Sequence, residues 1–232
     1  IKIKSLIITI KSIGNCYWRR IMDFLRKFGF FFLLLGVLSD FLTPYVLGLY
    51  YPELDQMKSV ISVFGEVSSP VRKAFLIWSV VSGIFFILSL PALYAAFVST
   101  SRVLATLVTA AIAFYGIGDC IFTGLFSINT HESSWNVSTW VHNIGSGLGY
   151  SGFLLFPVLL FLIYRKNGQM DVSHLYLGLS VISLLFAAIY GLARIPSINS
   201  WPLLNKIGFC QRISFFFNYV PIAWLSILHL KQ

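Results

Sequence analysis

Long apolar runs, separated by short polar stretches, dominate the chain from residue 28 to its end. A helix needs about 20 mostly apolar residues to cross the roughly 30 Å hydrocarbon core of a bilayer. Six segments meet this requirement and predict transmembrane helices at residues 28–50, 74–99, 103–126, 142–164, 174–193 and 207–230. Because their connections are short, neighbouring helices are expected to run antiparallel. The pattern predicts an all-α polytopic membrane protein whose six-helix transmembrane domain covers residues 28–230.

Residues 1–27, the N-terminal segment, follow a different pattern. Apolar and aromatic residues are interleaved there with the basic residues Lys2, Lys4, Lys11, Arg19, Arg20, Arg26 and Lys27. A basic amphipathic stretch beside a span is typical of a helix that lies on an anionic membrane surface. A tail whose charges only set the topology would have the same composition, and both interpretations stay open. No cleavable signal peptide is expected, because the first span is too long for the apolar region of one.

The first long loop carries the periodicity of a short helix. Between residues 53 and 64 the apolar residues are Leu54, Met57, Val60, Ile61 and Phe64, which is helical spacing. Gly65 is a suitable helix stop. Ser69 and Pro70 then have the types expected at the N-cap and first position of the second span.

Composition identifies lipid as the solvent. Hydrophobic residues make up 57% of the chain and charged residues 11%, whereas a soluble domain carries about 25% charged residues. The net charge of +9 is concentrated at span ends and in the N-terminal segment, so nucleic acid is not expected as a partner, and membrane lipids, including anionic lipid, are. If the N-terminus lies inside, that side has eleven Lys or Arg residues and the other side five. This bias predicts a multi-pass protein of the cell membrane with both termini in the cytoplasm.

Three charged residues lie within the predicted spans. Charge in the hydrocarbon region is costly and usually faces protein or water. Asp40 is in the middle of the first span, Asp119 is about two turns from the outer end of the third, and Arg212 is just over one turn into the sixth. Asp119 and Arg212 are therefore at similar depth, and an ion pair between them is expected.

The predicted outer side gathers further polar residues. The candidate ligand-binding residues there are Ser62, Glu66, Asp119, His131, His142, Asn143 and Arg212. Asp119, His131 and His142 are candidate metal ligands, because one Asp with two His can bind zinc. No HExxH motif supports this site: His131-Glu132 lacks the second His. No cofactor is predicted, and zinc stays an alternative. If the protein is an enzyme, the candidate catalytic residues are Asp119, His142 and Arg212.

Several motifs resemble an uncharacterised membrane family, catalogued as domain of unknown function 998. The matching residues are Tyr51-Pro52, Ile61-Ser62-Val63-Phe64-Gly65, Ser69-Pro70, Gly124-Leu125-Phe126 followed by His131, His142-Asn143, and Gly208 with Gln211 and Arg212. The chain departs from the family pattern at Gln211, where Glu is expected, and at Ser127, where Pro is common. The resemblance implies a six-span bundle with no established activity. A looser likeness to the DRAM/Frag membrane proteins rests on the first-loop pattern and a His-containing fourth span.

Three functions fit these observations. The first is a non-enzymatic accessory, immunity or sensor component, or a lipid- or small-molecule-binding protein with a polar site on the outer side. The second is a metal-assisted hydrolase or transferase that acts on a lipid or headgroup, in which Arg212 holds an anionic group. The third is a proton-coupled transporter that uses Asp40 and Asp119. The sequence leaves the protein partner unassigned.

Overall fold

Six helices in the described part of the chain are long and apolar enough to span a membrane, as predicted. A computed structural model describes residues 2–129, 134–198, 201, 202 and 204–231, with side chains from residue 17 onward. The helices that contain the spans are α1 (Lys2–Gly48), α2 (Arg72–Phe97), a composite third helix, α5 (Val137–Lys166), α6 (Met170–Ala193) and α7 (Ile207–Leu230). The third span consists of α3 (Arg102–Phe114), a π-helical segment (Tyr115–Phe122) and α4 (Thr123–Leu125).

The helix ends differ from the sequence prediction in three places. α1 does not break between the N-terminal segment and the first span, so the two form one continuous helix. α5 begins at Val137, five residues before the predicted start, because the Asn136 side chain caps it by accepting a hydrogen bond from the Thr139 amide at 2.9 Å. α2 begins at Arg72, and Ser69 does not cap it: the buried Ser69 hydroxyl has no hydrogen-bond partner among the described residues.

The short helix predicted in the first loop is present as a five-residue 3₁₀ helix, Ile61–Gly65, and is shorter than the periodicity suggested. The preceding backbone is instead bound to α7. The Phe209 amide donates to the Met57 carbonyl at 3.0 Å, and Gly208 lies directly against the carbonyls of Gln56 and Ser59. The carbonyl oxygens of this stretch accept hydrogen bonds from α7, and the stretch forms turns rather than an α-helix.

The helices pack as a closed ring in chain order. Each span contacts the next one, and α7 packs back against α1. One end of the ring carries the three longer connections, residues 49–71, 126–136 and 194–206, and is called here the long-loop face. The other end carries the connections at residues 98–101 and 167–169 and is called the short-turn face.

Close glycine contacts wedge the π-helical segment between α2 and α5. A Cβ atom on Gly83 of α2 would lie 2.6 Å from the Gly116 carbonyl oxygen. A Cβ atom on Gly149 of α5 would lie 2.5 Å from the Asp119 amide nitrogen. Small residues allow membrane helices to approach at backbone distance, and van der Waals packing then holds them together. The position of Asp119 in the bundle therefore depends on glycine in two neighbouring helices.

Large apolar side chains fill the axis of the bundle toward the short-turn face. The fully buried members of this core are Leu33, Phe86, Leu93, Phe153, Phe156, Leu160 and Ile222. They come from α1, α2, α5 and α7, so they close the interior from several sides. Two adjoining spaces with polar lining lie on the other side of this core, toward the long-loop face.

Replacement of Gly149 by Ala is expected to lower stability, because the added methyl would overlap the Asp119 backbone. Overpacking of this kind costs about 1–3 kcal/mol. The matched control is Gly147→Ala, two residues away on the same helix, where nothing lies within 4 Å of an added Cβ. Thermal unfolding of the detergent-purified variants measures the difference. Equal melting temperatures for the two variants would contradict the wedged packing.

Candidate functional site

Asp40 is held by two tyrosines in the middle of the membrane region. Its Oδ2 accepts hydrogen bonds from the Tyr115 hydroxyl at 2.5 Å and the Tyr219 hydroxyl at 2.7 Å, and the two hydroxyl oxygens are 2.9 Å apart. The Cys120 thiol lies 3.7 Å from the same oxygen. Every one of these contacts is to Oδ2, so Oδ1 receives no hydrogen bond from a described residue.

Asp119 lies in the π-helical segment, one turn from Tyr115. Its Oδ1 accepts a hydrogen bond from the Ser146 hydroxyl of α5. The Thr123 hydroxyl donates to the Asp119 carbonyl oxygen at 2.5 Å, which satisfies a backbone group within the wide turn. Asp119 Oδ2, like Asp40 Oδ1, accepts no hydrogen bond from a described residue. π-Helical segments are frequent at functional sites.

Both carboxyl groups line one small enclosed space, called here the inner cavity, with a volume of about 60 Å³. This space is large enough for water-sized groups. Its other lining residues are Thr43, Ile61, Ser62, Phe75, Ser79, Thr123, His142, Asn143, Ser146, Arg194, Gln211, Phe215 and Tyr219. The lining of the inner cavity is therefore predominantly polar.

The hydrogen bonds of His142 determine what this residue presents to the inner cavity. The ring is 2% exposed, and Nδ1 lies 2.8 Å from the Phe126 carbonyl oxygen. A carbonyl oxygen can only accept, so Nδ1 carries the proton. In the neutral ring Nε2 is then an acceptor.

Gln211 joins the inner cavity to the first loop. Its Oε1 accepts a hydrogen bond from the Ile61 amide at 2.7 Å, at the start of the 3₁₀ helix. Its Nε2 has no acceptor among the described residues, although the side chain is only 8% exposed. The amide group therefore lies on the wall of the cavity with its Nε2 donor available.

A larger opening, called here the outer cleft, lies above the inner cavity between α5, α6 and α7. Its volume is about 680 Å³, and it is lined by Trp135, Asn143, Ile144, Ser146, Gly147, Tyr150, Tyr190, Ala193, Arg194, Leu204, Asn205, Ile207, Gln211 and Phe215. Asn143, Ser146, Arg194, Gln211 and Phe215 line both spaces. The outer cleft and the inner cavity are thus adjacent parts of one site at the long-loop face.

Arg194 is the cation of this site. It lies at the end of α6, its guanidinium is 5.0 Å from the centre of the Tyr190 ring, and the side chain is exposed. Because Arg194 lines both the outer cleft and the inner cavity, it marks their junction. A guanidinium over an aromatic face is stabilised by the ring quadrupole. Arg194 also forms a side-chain hydrogen bond with Tyr190.

Arg212 does not pair with Asp119, so that prediction is wrong. Its Nη1 donates to the carbonyl oxygens of Gln56, Ser59 and Gly208 at 2.7, 3.0 and 3.0 Å. The prediction rested on the similar depth of Asp119 and Arg212 in their spans. The first loop folds over α7, and its carbonyl oxygens accept the hydrogen bonds of Arg212 instead. Arg212 fastens the first loop onto α7 and lines neither the outer cleft nor the inner cavity.

The other sequence candidates divide into three groups. Ser62, Asp119, His142 and Asn143 come together on the wall of the inner cavity. Glu66 is buried in the first loop and lines neither space. His131 and its neighbour Glu132 lie outside the described residues.

Metal ligation receives no support from the described residues, which contain no group of three or more His, Cys, Asp or Glu side chains arranged to hold a metal ion. Of the three candidate zinc ligands, Asp119 and His142 line the same cavity. The third, His131, lies outside the described residues.

Sequence reasoning missed four residues of the site: Tyr115, Ser146, Arg194 and Tyr219. With 11 tyrosines in the chain, two particular ones carry no signal of their own. In the sequence, Arg194 is one of the five basic residues on the predicted outer side, and it contributes there only to the orientation of the spans. A usable signal was the position of Tyr115 four residues before Asp119, since residues at this spacing share a helix face.

Comparison with known protein families identifies a match over most of the chain. Residues 34–228 match the family model described as Protein of unknown function (DUF998). No curated protein and no solved structure matches the chain. The matched range contains every residue that lines the outer cleft and the inner cavity.

Water access distinguishes the outer cleft from the lipid-facing surface. At a rise of 1.5 Å per residue, Gly147 lines the cleft about 15 Å after the start of α5. Gly178 is exposed about 12 Å after the start of α6. Both have open space for a side chain. Gly147→Cys is expected to react with a charged thiosulfonate reagent, and Gly178→Cys is not, since a thiol in hydrocarbon does not ionise. Equal reaction at both positions, above the parent's background, would contradict an open cleft.

Proposed function

This chain belongs to the DUF998 family of unknown function, and we propose that it is a non-enzymatic membrane protein that binds a small molecule or a lipid headgroup at its long-loop face. The supporting observation is the continuity between an open cleft and a buried polar cavity. Ligand sites of proteins are typically 300–1,000 Å³, largely apolar or aromatic, with a few converging polar groups. The outer cleft has a volume of about 680 Å³ and this composition.

The unmet hydrogen-bonding capacity of the site favours ligand binding. Two carboxyl oxygens, His142 Nε2 and Gln211 Nε2 have no partner among the described residues, yet their residues all line the inner cavity. Polar groups that remain unsatisfied in a membrane protein are costly and usually serve a function. A bound polar molecule would satisfy them.

Binding is favoured over the hydrolase hypothesis because of Arg212. That hypothesis assigned Arg212 to an anionic substrate group, but its Nη1 donates to three backbone carbonyls and its Nη2 to Gln56 Oε1. The guanidinium is only 8% exposed. It is engaged in the fold rather than available to a substrate.

Binding is also favoured over transport because the inner cavity shares no lining residue with the opening of about 350 Å³ at the short-turn face, which includes Thr100, Asn167 and His229. A transporter that uses Asp40 and Asp119 needs a polar path to both faces. Toward the short-turn face the described interior is filled by apolar side chains such as Phe86, Phe156 and Ile222. The outer cleft and the inner cavity both lie on the side of the long-loop face.

The charge distribution supports a cytoplasmic position for both termini, and therefore an outward-facing cleft. Arg19, Arg20, Arg26 and Lys27 are exposed in the part of α1 that precedes the first span, close to the exposed aromatic residue Trp18. Exposed basic and aromatic residues at a membrane surface attract anionic lipid. In this proposal the N-terminal segment contacts the anionic cytoplasmic leaflet.

Blocking the outer cleft is expected to remove what the protein binds. Gly147→Leu places a side chain into the cleft, where nothing lies within 4 Å of an added Cβ. Gly178→Leu makes the same change on the exposed surface of α6 and is the matched control. Mass spectrometry of small molecules and lipids extracted from each purified variant is expected to show one class that is retained by the parent and Gly178→Leu and depleted in Gly147→Leu. Identical extracts from all three proteins would contradict the proposal.

A further inference from the structure

We propose that the site takes a zwitterion, with a primary ammonium group in the inner cavity and an anionic group in the outer cleft. This inference rests on the proposed binding function and names its ligand class. It follows from two properties of the described residues: the acceptors in the inner cavity and the donors at its mouth.

The inner cavity presents acceptors. Asp40 Oδ1 and Asp119 Oδ2 receive no hydrogen bond from a described residue, and His142 Nε2 is an acceptor because Nδ1 donates to Phe126. All three residues line the same space of about 60 Å³. A primary ammonium group has three N–H donors, a positive charge and no acceptor. Its three N–H donors match the three acceptors in number, and its positive charge complements the two carboxyl groups.

The number of N–H donors separates a primary ammonium from a quaternary one. A primary ammonium donates three hydrogen bonds, one for each acceptor of the inner cavity. A trimethylammonium group carries the same charge but has no N–H, so it leaves these acceptors without a donor.

The mouth of the inner cavity presents donors. Gln211 lines both spaces, and its Nε2 has no acceptor among the described residues. Arg194 lies at the same junction with its guanidinium exposed to the outer cleft. Guanidinium and amide N–H groups together bind carboxylate or phosphate oxygens. The ligand is therefore expected to carry an anionic group a few bonds from its ammonium.

Charge complementarity favours a ligand with both charges. Arg194 lines the inner cavity together with Asp119 and Asp40, so a cation bound beside the carboxyl groups is also near the guanidinium. An anionic group on the same ligand compensates Arg194. A molecule that carries both charges, with its cation inward, is complementary at each position.

Two sources supply this chemistry: a lipid headgroup of the phosphoethanolamine type, and a free zwitterion such as phosphoethanolamine. The test measures binding to the full-length protein purified in detergent, by native mass spectrometry for phosphatidylethanolamine, phosphatidylcholine and phosphatidylglycerol, and by calorimetry for free phosphoethanolamine. The parent is expected to bind phosphatidylethanolamine at least about tenfold more tightly than phosphatidylcholine, since one charge-assisted hydrogen bond is worth about 1.5–3 kcal/mol. This comparison needs no variant. Equal affinity for these two lipids would overturn the inference.

Two variants separate the inward and outward halves of the ligand. Asp119→Asn keeps an oxygen to accept from Ser146 but removes the charge, and it is expected to abolish the preference for phosphatidylethanolamine. Arg194→Gln is expected to weaken binding of both zwitterionic lipids alike, because their phosphate is shared. The control is Arg165→Gln at the short-turn end of α5. A preference for phosphatidylethanolamine that survives Asp119→Asn would overturn the inference.

The remaining measurements identify the source of the ligand, and they separate the zwitterion proposal from the proposed binding function. Tight binding of free phosphoethanolamine would support a soluble zwitterion, and binding of the lipid alone would support a headgroup recognised with its acyl chains. Preferred binding of phosphatidylglycerol that is lost in Gly147→Leu and unchanged in Asp119→Asn would overturn the zwitterion and leave the binding function standing. Lipid binding unaffected by Gly147→Leu would overturn both.

Discussion

Backbone contact between the π-helical segment and its two neighbours positions the rest of the site. Gly83 and Gly116 allow α2 to reach this segment, and Gly145 and Gly149 allow α5 to reach it from the other side. Held in this way, the wide turn directs Tyr115 to Asp40 and Asp119 to Ser146. A side chain larger than hydrogen at these glycines would separate the helices and with them the two carboxyl groups of the inner cavity.

Two carboxyl groups inside a membrane bundle carry a cost that the fold offsets only in part. Tyr115 and Tyr219 serve one oxygen of Asp40, and Ser146 serves one oxygen of Asp119. Arg212 differs from both carboxyl groups in where it lies: its Nη1 donates to three backbone carbonyls, and the residue lines neither the outer cleft nor the inner cavity. The contrast distinguishes a residue that holds the first loop on α7 from residues that face the cavity.

Apolar run length was sufficient to predict the six spans, because the hydrocarbon thickness dictates it directly. It also placed Ser62, Asp119, His142 and Asn143 on one side of the bundle, where they meet. The partner of Arg212 was not predictable in this way, since depth along a helix says nothing about a loop that folds over its end. The contributions of Tyr115, Tyr219 and Arg194 depend on how the ring of helices closes, which local patterns do not encode.

The position of the bound ammonium is the most direct test of how this site works. Solid-state NMR can measure the dipolar coupling between the ¹⁵N of a labelled phosphatidylethanolamine headgroup and ¹³Cγ of labelled aspartate in the reconstituted protein. We expect a contact of about 4 Å, as a charge-assisted hydrogen bond requires, that is lost in Asp119→Asn and kept in Asp23→Asn. A headgroup that binds in the outer cleft without any aspartate contact would contradict the role assigned to the inner cavity.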